Sequence, residues 1–300
     1  MAASIRPLPT GRPGRPADLT ADDVRWLAWH EACSHALTGR EVRDLGDAYL
    51  LHDPTDREPF WNRIAGLAWP SDPVGFDRRL TEALALFAGL DRIPHVWPSP
   101  GYDSPGDLVA RLVANGFEDH GAGLFMALEP SRFAQAGPAR AADAAVPPST
   151  AGDGVTVERF HRLAGQAAAE AAHALAGVLE AAFAVEPARR VAIELEAVQG
   201  LTTDAYHALL VRVGGRPAAV ARRTTFAGAS YLSSIGTAPA FRGRGLGRLA
   251  TELAVRDALA AGSRWTYLGV FEENRVARKL YESLGFVQVG SPAPDLLLRP

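Results

Sequence analysis

A single cysteine, Cys33, stands in 300 residues, so no internal disulfide can staple the chain. The eight histidines fall in no C-x-x-C or H-x-x-x-H pattern, which removes the usual routes to a zinc centre. A metal-free protein of a reducing compartment, the cytoplasm, is the expectation. No apolar run reaches the ~18 residues a membrane helix needs. Met1 to Thr20, rich in Pro, Gly and Arg, lacks the apolar centre of a signal peptide, and residues 1–19 read as a disordered tail. Excess charge of one sign is missing too. A net charge of −3 and a pI near 6.3 give no footprint for general binding to nucleic acid or membrane.

What is present is a globular composition, 47% hydrophobic and 22% charged, in a chain long enough for two cored domains. The Ala, Pro and Gly of residues 131–153 read as a linker between a domain at 20–130 and another at 154–300. In the second half, GVTVERF (154–160) alternates as a strand does, and residues 164–186 form a helical run ending before Pro187. A short helix follows over Arg189 to Val198. AYHALLVRV and PAAVARRTTF are strands joined through Gly214-Gly215-Arg216, and SYLSSIGT is a third. RLATELAVRDALAAG is a helix whose spacing suggests Leu249, Leu253 and Leu259 on one face. WTYLGV is a strand, NRVARKLYESLGF a helix that Gly285 can end, and a last strand starts at Phe286.

The stretch FRGRGLGR (241–248) lies between a strand and a helix and packs three arginines and three glycines into eight positions. N–H groups at a helix start have no internal partners and sit at the positive end of the helix dipole. Glycines at 243, 245 and 247 would let phosphate oxygens reach the main chain, with Arg242, Arg244 and Arg248 adding charge. Taken alone, the loop reads more readily as a flexible surface turn with solvated arginines than as an anion site. Gly245-Leu246-Gly247-Arg248-Leu249-Ala250 also satisfies the dinucleotide fingerprint G-x-G-x-x-G/A. That fold wants its first glycine directly after the strand and several further strand-helix units, whereas Ala238 to Phe241 intervene and some fifty residues remain.

Arg242-x-x-Gly245-x-Gly247 resembles the R/Q-x-x-G-x-G/A acetyl-CoA loop of the Gcn5-related N-acetyltransferases. The resemblance extends upstream through IGTAPAF and downstream through NRVARKLYESLGF, whose Leu-Tyr-x-x-x-Gly-Phe ending is similar to the family's last helix. It implies an α/β (α+β) fold, a mixed, mostly antiparallel sheet flanked by helices. It also implies that the amides of Gly243, Arg244, Gly245, Leu246, Gly247 and Arg248 hold the diphosphate of acetyl-CoA. The main chain of Ile235, Gly236 and Thr237 would pair with the pantetheine arm where two strands splay, and Asn274 would lie near the reactive end. Tyr281 would protonate the leaving thiolate after direct attack by an amine, with no covalent enzyme intermediate. Tyr281 also reads as a core aromatic between Leu280 and Leu284, and Asn274 as a helix N-cap.

The general base is open. Where many relatives carry a glutamate, this sequence has Tyr231 and Gly269. Water lined by Ser233, Ser234 or Tyr231, a carboxylate at Glu272 or Glu273, or an acceptor bound neutral remain alternatives, with His207 and His173 as further candidates. Glu194 and Glu196, with Glu272 and Glu273, would suit a cationic acceptor if they are not simply solvated.

The first half repeats the second at an offset of 169. LVARLVANGF (108–117) lines up with ARKLYESLGF (277–286), and RLTEAL (79–84) with RLATEL (248–253). Phe76 and Arg78 then face Gly245 and Gly247, Leu112 faces Tyr281, and Pro105 faces Asn274. A degenerate acetyltransferase-like copy is expected at 20–130, tandem to the catalytic one. Two functions follow: an acetyl-CoA-dependent N-acetyltransferase acting on a small-molecule or peptide amine, or a non-catalytic acyl-CoA-binding sensor or interaction protein. No nucleic acid, membrane or metal partner is expected, and a homodimer is left open.

Overall fold

The computed structural model describes residues 19–136 and 154–299. The expected tail up to residue 18, and 137–153 of the expected linker, lie outside the described residues. The start of that linker is instead a helix, Pro130–Ala136, with Pro130 at its first position, where no N–H is needed. The chain divides into two compact units. The first holds the described residues up to Ala127, Gly269–Tyr281 and the chain from Val287 on. The second holds Leu128–Leu268 and Glu282–Phe286.

In the second unit, strands β6 (Val155–Phe160), β7 (Tyr206–Val213), β8 (Arg216–Phe226), β9 (Ala229–Thr237) and β10 (Trp265–Phe271, as far as Leu268) lie in the order β10-β9-β8-β7-β6. Pairing is antiparallel except between β9 and β10. Gly214 and Gly215, at φ 55° and 76°, make the tight turn between β7 and β8 that the sequence signals. Helices α5 (Gly165–Phe183) and α6 (Arg190–Leu201) bury Ala172, Leu175, Leu179 and Leu201 against Tyr206, Leu210 and Val220. Helix α7 (Leu246–Ala260) buries Leu249, Ala250, Leu253, Ala254 and Ala258. Leu259 is only half-buried, because ten residues on from Leu249 the 3.6-residue period has carried it round the helix.

The first unit contains α1 (Ala21–Ala36), β1 (Glu41–Asp44), β2 (Tyr49–His52), β3 (Arg63–Ala65), α2 (Pro73–Gly89), β4 (His95–Trp97), α3 (Leu108–Ala114) and β5 (Glu118–Leu128). It also takes most of α8 (Arg275–Ser283) and β11 (Phe286–Leu297). With the helix at 130–136 as α4, these complete the described α-helices and strands. The strand order is β1-β2-β3-β4-β11-β5, with β1–β2, β2–β3 and β4–β11 antiparallel and β3–β4 parallel. Phe76, Leu80 and Phe87 of α2 pack with Leu50, Ile64, Val96, Leu112 and Leu296.

Advanced by 169, every one of α1, β1 to β4, α2, α3 and β5 overlaps an element of like type in the second half. The likeness reaches single residues: Gly116 and Gly285 have φ of 89° and 93°, and Phe117 and Phe286 behind them are both buried. The compact units nevertheless cut the chain elsewhere than 20–130 and 154–300. The chain's last strand, β11, pairs with β4, with Leu296 opposite Val96 and Leu297 opposite His95.

Candidate functional site

In the second unit, the chain leaves β9 at Thr237, makes one tight helical turn at Pro239–Phe241 and enters α7 through Arg242 to Gly245. Gly243 and Gly245 both have φ near 75°, a region where an L side chain is strained, and a Cβ on either would meet nothing within 4 Å. Gly245 is the N-cap of α7, and no side chain caps this helix start. The first-turn N–H groups therefore border open space at the positive end of a fifteen-residue helix. That arrangement fits a diphosphate.

The arginines do not act alike. Arg242 donates from Nη2 to Ala182 O at 2.8 Å and from Nε to Thr237 O at 3.3 Å, strapping the last turn of α5 to the end of β9. Arg248 donates to Ser283 Oγ at 2.6 Å. Arg244 lies over the Phe241 ring, 6.0 Å from its centroid. Arg242 and Arg248 thus already donate to protein oxygens, each with further guanidinium N–H donors to spare.

Upstream, β9 carries a bulge. Val220 pairs with Gly236 and Arg222 with Ser233, so Ala221 faces both Ser234 and Ile235, and Ser234 takes φ 49°. The β9–β10 ladder runs from Ala229↔Trp265 to Leu232↔Leu268 and ends, while β9 continues through Ile235, Gly236 and Thr237. Gly236 is glycine for a packing reason, since a Cβ there would lie 2.9 Å from the Ala182 Cβ.

Asn274 and Tyr281 belong to the first unit. Asn274 precedes α8, and its Oδ1 accepts from Ala277 N at 3.1 Å, the capping role the sequence allowed. Tyr281 is 6% exposed, and burial pushes its phenol up to about 12. Glu272 and Glu273 are exposed, with Glu272 N donating to Ala122 O at 2.8 Å.

Of the other candidate bases, Tyr231 is buried with its ring 5.2 Å from that of Tyr267. His173 is mostly exposed and held by Glu194 at 2.9 Å. His207 stacks on His161 at 4.2 Å, and burial, reinforced by Arg223 and His161, pushes its imidazole down to about 4. Glu194 also pairs with Arg190 at 2.9 Å, and Glu196 with the buried Arg222 at 2.7 Å. These two carboxylates are thus already matched by cations, which corrects their reading as an acceptor-attracting surface. Sequence reasoning missed the Ser234 bulge, because nothing in SYLSSIGT breaks the strand pattern locally.

Residues 166–286 match the family model described as Acetyltransferase (GNAT) family. A curated relative, N-alpha-acetyltransferase 40 from Saccharomyces cerevisiae, is 43% identical over 72 residues, covering 21% of this chain. The chain spans a quarter of that relative's length. Among solved structures, a GCN5-related N-acetyltransferase from Kribbella flavida is 24% identical with a TM-score of 0.62, covering 92% of this chain and 95% of its own. A tandem GNAT protein from the clavulanic acid biosynthesis pathway is 16% identical with a TM-score of 0.61, covering 96% and 98%. At these identities the structures establish the fold over nearly the whole chain, and the family model matches residues 166–286 alone. Over residues 166–286 the chain is thus similar to the acetyltransferase (GNAT) family.

Proposed function

We propose that this protein is an N-acetyltransferase that moves an acetyl group from acetyl-CoA to a primary amine of a small molecule or peptide. The observation that carries the reading is the uncapped glycine start of α7, within the matched family domain. The N–H groups of residues 243–248 would hold the diphosphate, with Arg244 beside them. The main chain of Ile235 to Thr237, past the end of the β9–β10 ladder, would take the amide-bearing arm. Acetyl-CoA supplies an acyl group activated as a thioester. Tyr281, kept protonated by burial, would give its proton to the departing sulfur, and Asn274 would retain its Nδ2 donors for the coenzyme while its Oδ1 caps α8.

The first unit is proposed as a copy that has lost this cradle. Its counterpart helix, α2, starts at Pro73, which has no N–H. Its N-cap Asp72 already accepts from Gly75 N at 2.7 Å. A carboxylate sits where an anion would have to bind. The buried Tyr231 at the place of a catalytic glutamate favours a second reading, an acyl-CoA sensor without turnover. Thiol release from acetyl-CoA across an amine panel, with calorimetric titration of CoA into the full chain, separates the two. Turnover supports the transferase, CoA binding without turnover supports the sensor, and no heat at millimolar CoA overturns both.

A further inference from the structure

The second unit contains a separate pocket of ≈ 320 Å³, between α7 and the outer strands, with Arg159, His161, His207, Arg223, Ala254 and Asp257 among its walls. It lies down α7 from the phosphate loop: Asp257 is about three turns, roughly 16 Å, beyond Leu246 along the helix.

Arg223 is the side chain that needs explaining. Successive residues of β8 point to opposite sheet faces. Arg222 meets Glu196 on one face, whereas Arg223, 7% exposed, lines the pocket on the other. Among the described residues Arg223 has no carboxylate within ion-pair distance, and its one side-chain hydrogen bond is to Thr225 Oγ1. Thr225 is itself tied to Ser230 at 2.6 Å, and Ser230 to Ser263 at 2.7 Å, so a hydroxyl chain holds the guanidinium from behind. A guanidinium offers five N–H donors, and this contact uses one.

The other charges do not compensate it. Asp257 is engaged by Arg159 at 3.0 Å, and His207 is neutral at pH 7. A buried cation with no anion is costly. Desolvation accordingly pulls the Arg223 guanidinium below its ordinary range, only partly opposed by the Asp257 charge. Apart from His161, the rest of the wall is apolar, with Ala208, Leu209, Ala221 and Ala254. A positive group deep in an apolar hollow of this volume is the recognition pattern for a small molecule with one anionic end.

We propose that this pocket binds a small organic carboxylate, its carboxyl group paired with Arg223 and its apolar body laid against the alanines. The proposal does not depend on acetyl transfer.

The test is calorimetric titration of the full-length chain with benzoate, with benzamide as the neutral isostere and inorganic phosphate as the bare anion. The expected result is saturable benzoate binding and none of benzamide or phosphate. Arg223→Gln should weaken benzoate at least about tenfold, while CoA titration stays as in the parent. Ala260→Trp, at the exposed rim, should weaken benzoate equally by filling the mouth. Should Arg223→Gln melt below working temperature, Arg223→Lys with Ala260→Trp decides. Benzamide or phosphate binding as well as benzoate, benzoate binding unmoved by Ala260→Trp, or no benzoate heat at millimolar concentration each overturns the proposal.

Discussion

At the scale of single residues, burial decides two protonation states. Tyr281 is pushed up to about 12, so its phenol keeps its proton throughout the physiological range. Tyr281→Phe should lower thiol release roughly 10²-fold with CoA affinity unchanged; unchanged turnover would reduce Tyr281 to a core aromatic. Asp103 of the first unit is pushed up to about 7 by desolvation, against hydrogen bonds from Ser99 and Leu67 and the Arg25 charge. Its folded value exceeds the unfolded one, so the fold loses stability as pH rises from about 4 to about 7, by up to about 4 kcal/mol. Asp103→Asn keeps an acceptor for Ser99 N, whose bond to Oδ2 is 2.8 Å. That variant should melt higher than the parent at pH 8 and near it at pH 4. An identical pH dependence in both would show that Asp103 ionises freely.

At the scale of elements, the contrast between two helix starts carries the functional reading. Helix α2 is capped by the Asp72 carboxylate, whereas α7 starts at a bare Gly245. Gly245→Asp would put a carboxylate at the α7 start as at α2, and aspartate tolerates positive φ better than most residues. The fold should lose roughly 1–2 kcal/mol, while CoA binding weakens at least about tenfold from the added charge. Retained CoA affinity in a folded Gly245→Asp variant would remove the α7 start from the coenzyme site. These elements were legible in sequence. The glycines that end β7 and α8, and the alanine-rich run of α5, announce themselves within windows of a few residues. The Ser234 bulge, the Arg242 strap to Ala182 and the Arg223 pocket were not legible, since each joins residues far apart in the chain.

At the scale of the whole molecule, the chain's last strand determines which part of the sequence can fold by itself. Leu296 is fully buried in the first unit's core, and β11 pairs with β4. A chain ending at Phe286 should lose the cooperative melting and near-ultraviolet signal of the first unit, although every residue from 19 to 127 is retained. A fragment of 154–300 should in turn aggregate, its β11 apolar positions lacking β4. A soluble, cooperatively melting 154–300 fragment would refute this division. Local pattern in the chain sufficed for the element order of the second half, the 169-residue correspondence and the glycine-arginine loop, because periodicity, turn chemistry and helix starts are properties of neighbouring residues. That β11 belongs with β4, that Arg242 is a strap and that Arg223 is buried with no carboxylate at ion-pair distance emerged from the folded arrangement alone. Pairing and burial depend on which distant segments meet, and no local pattern encodes that.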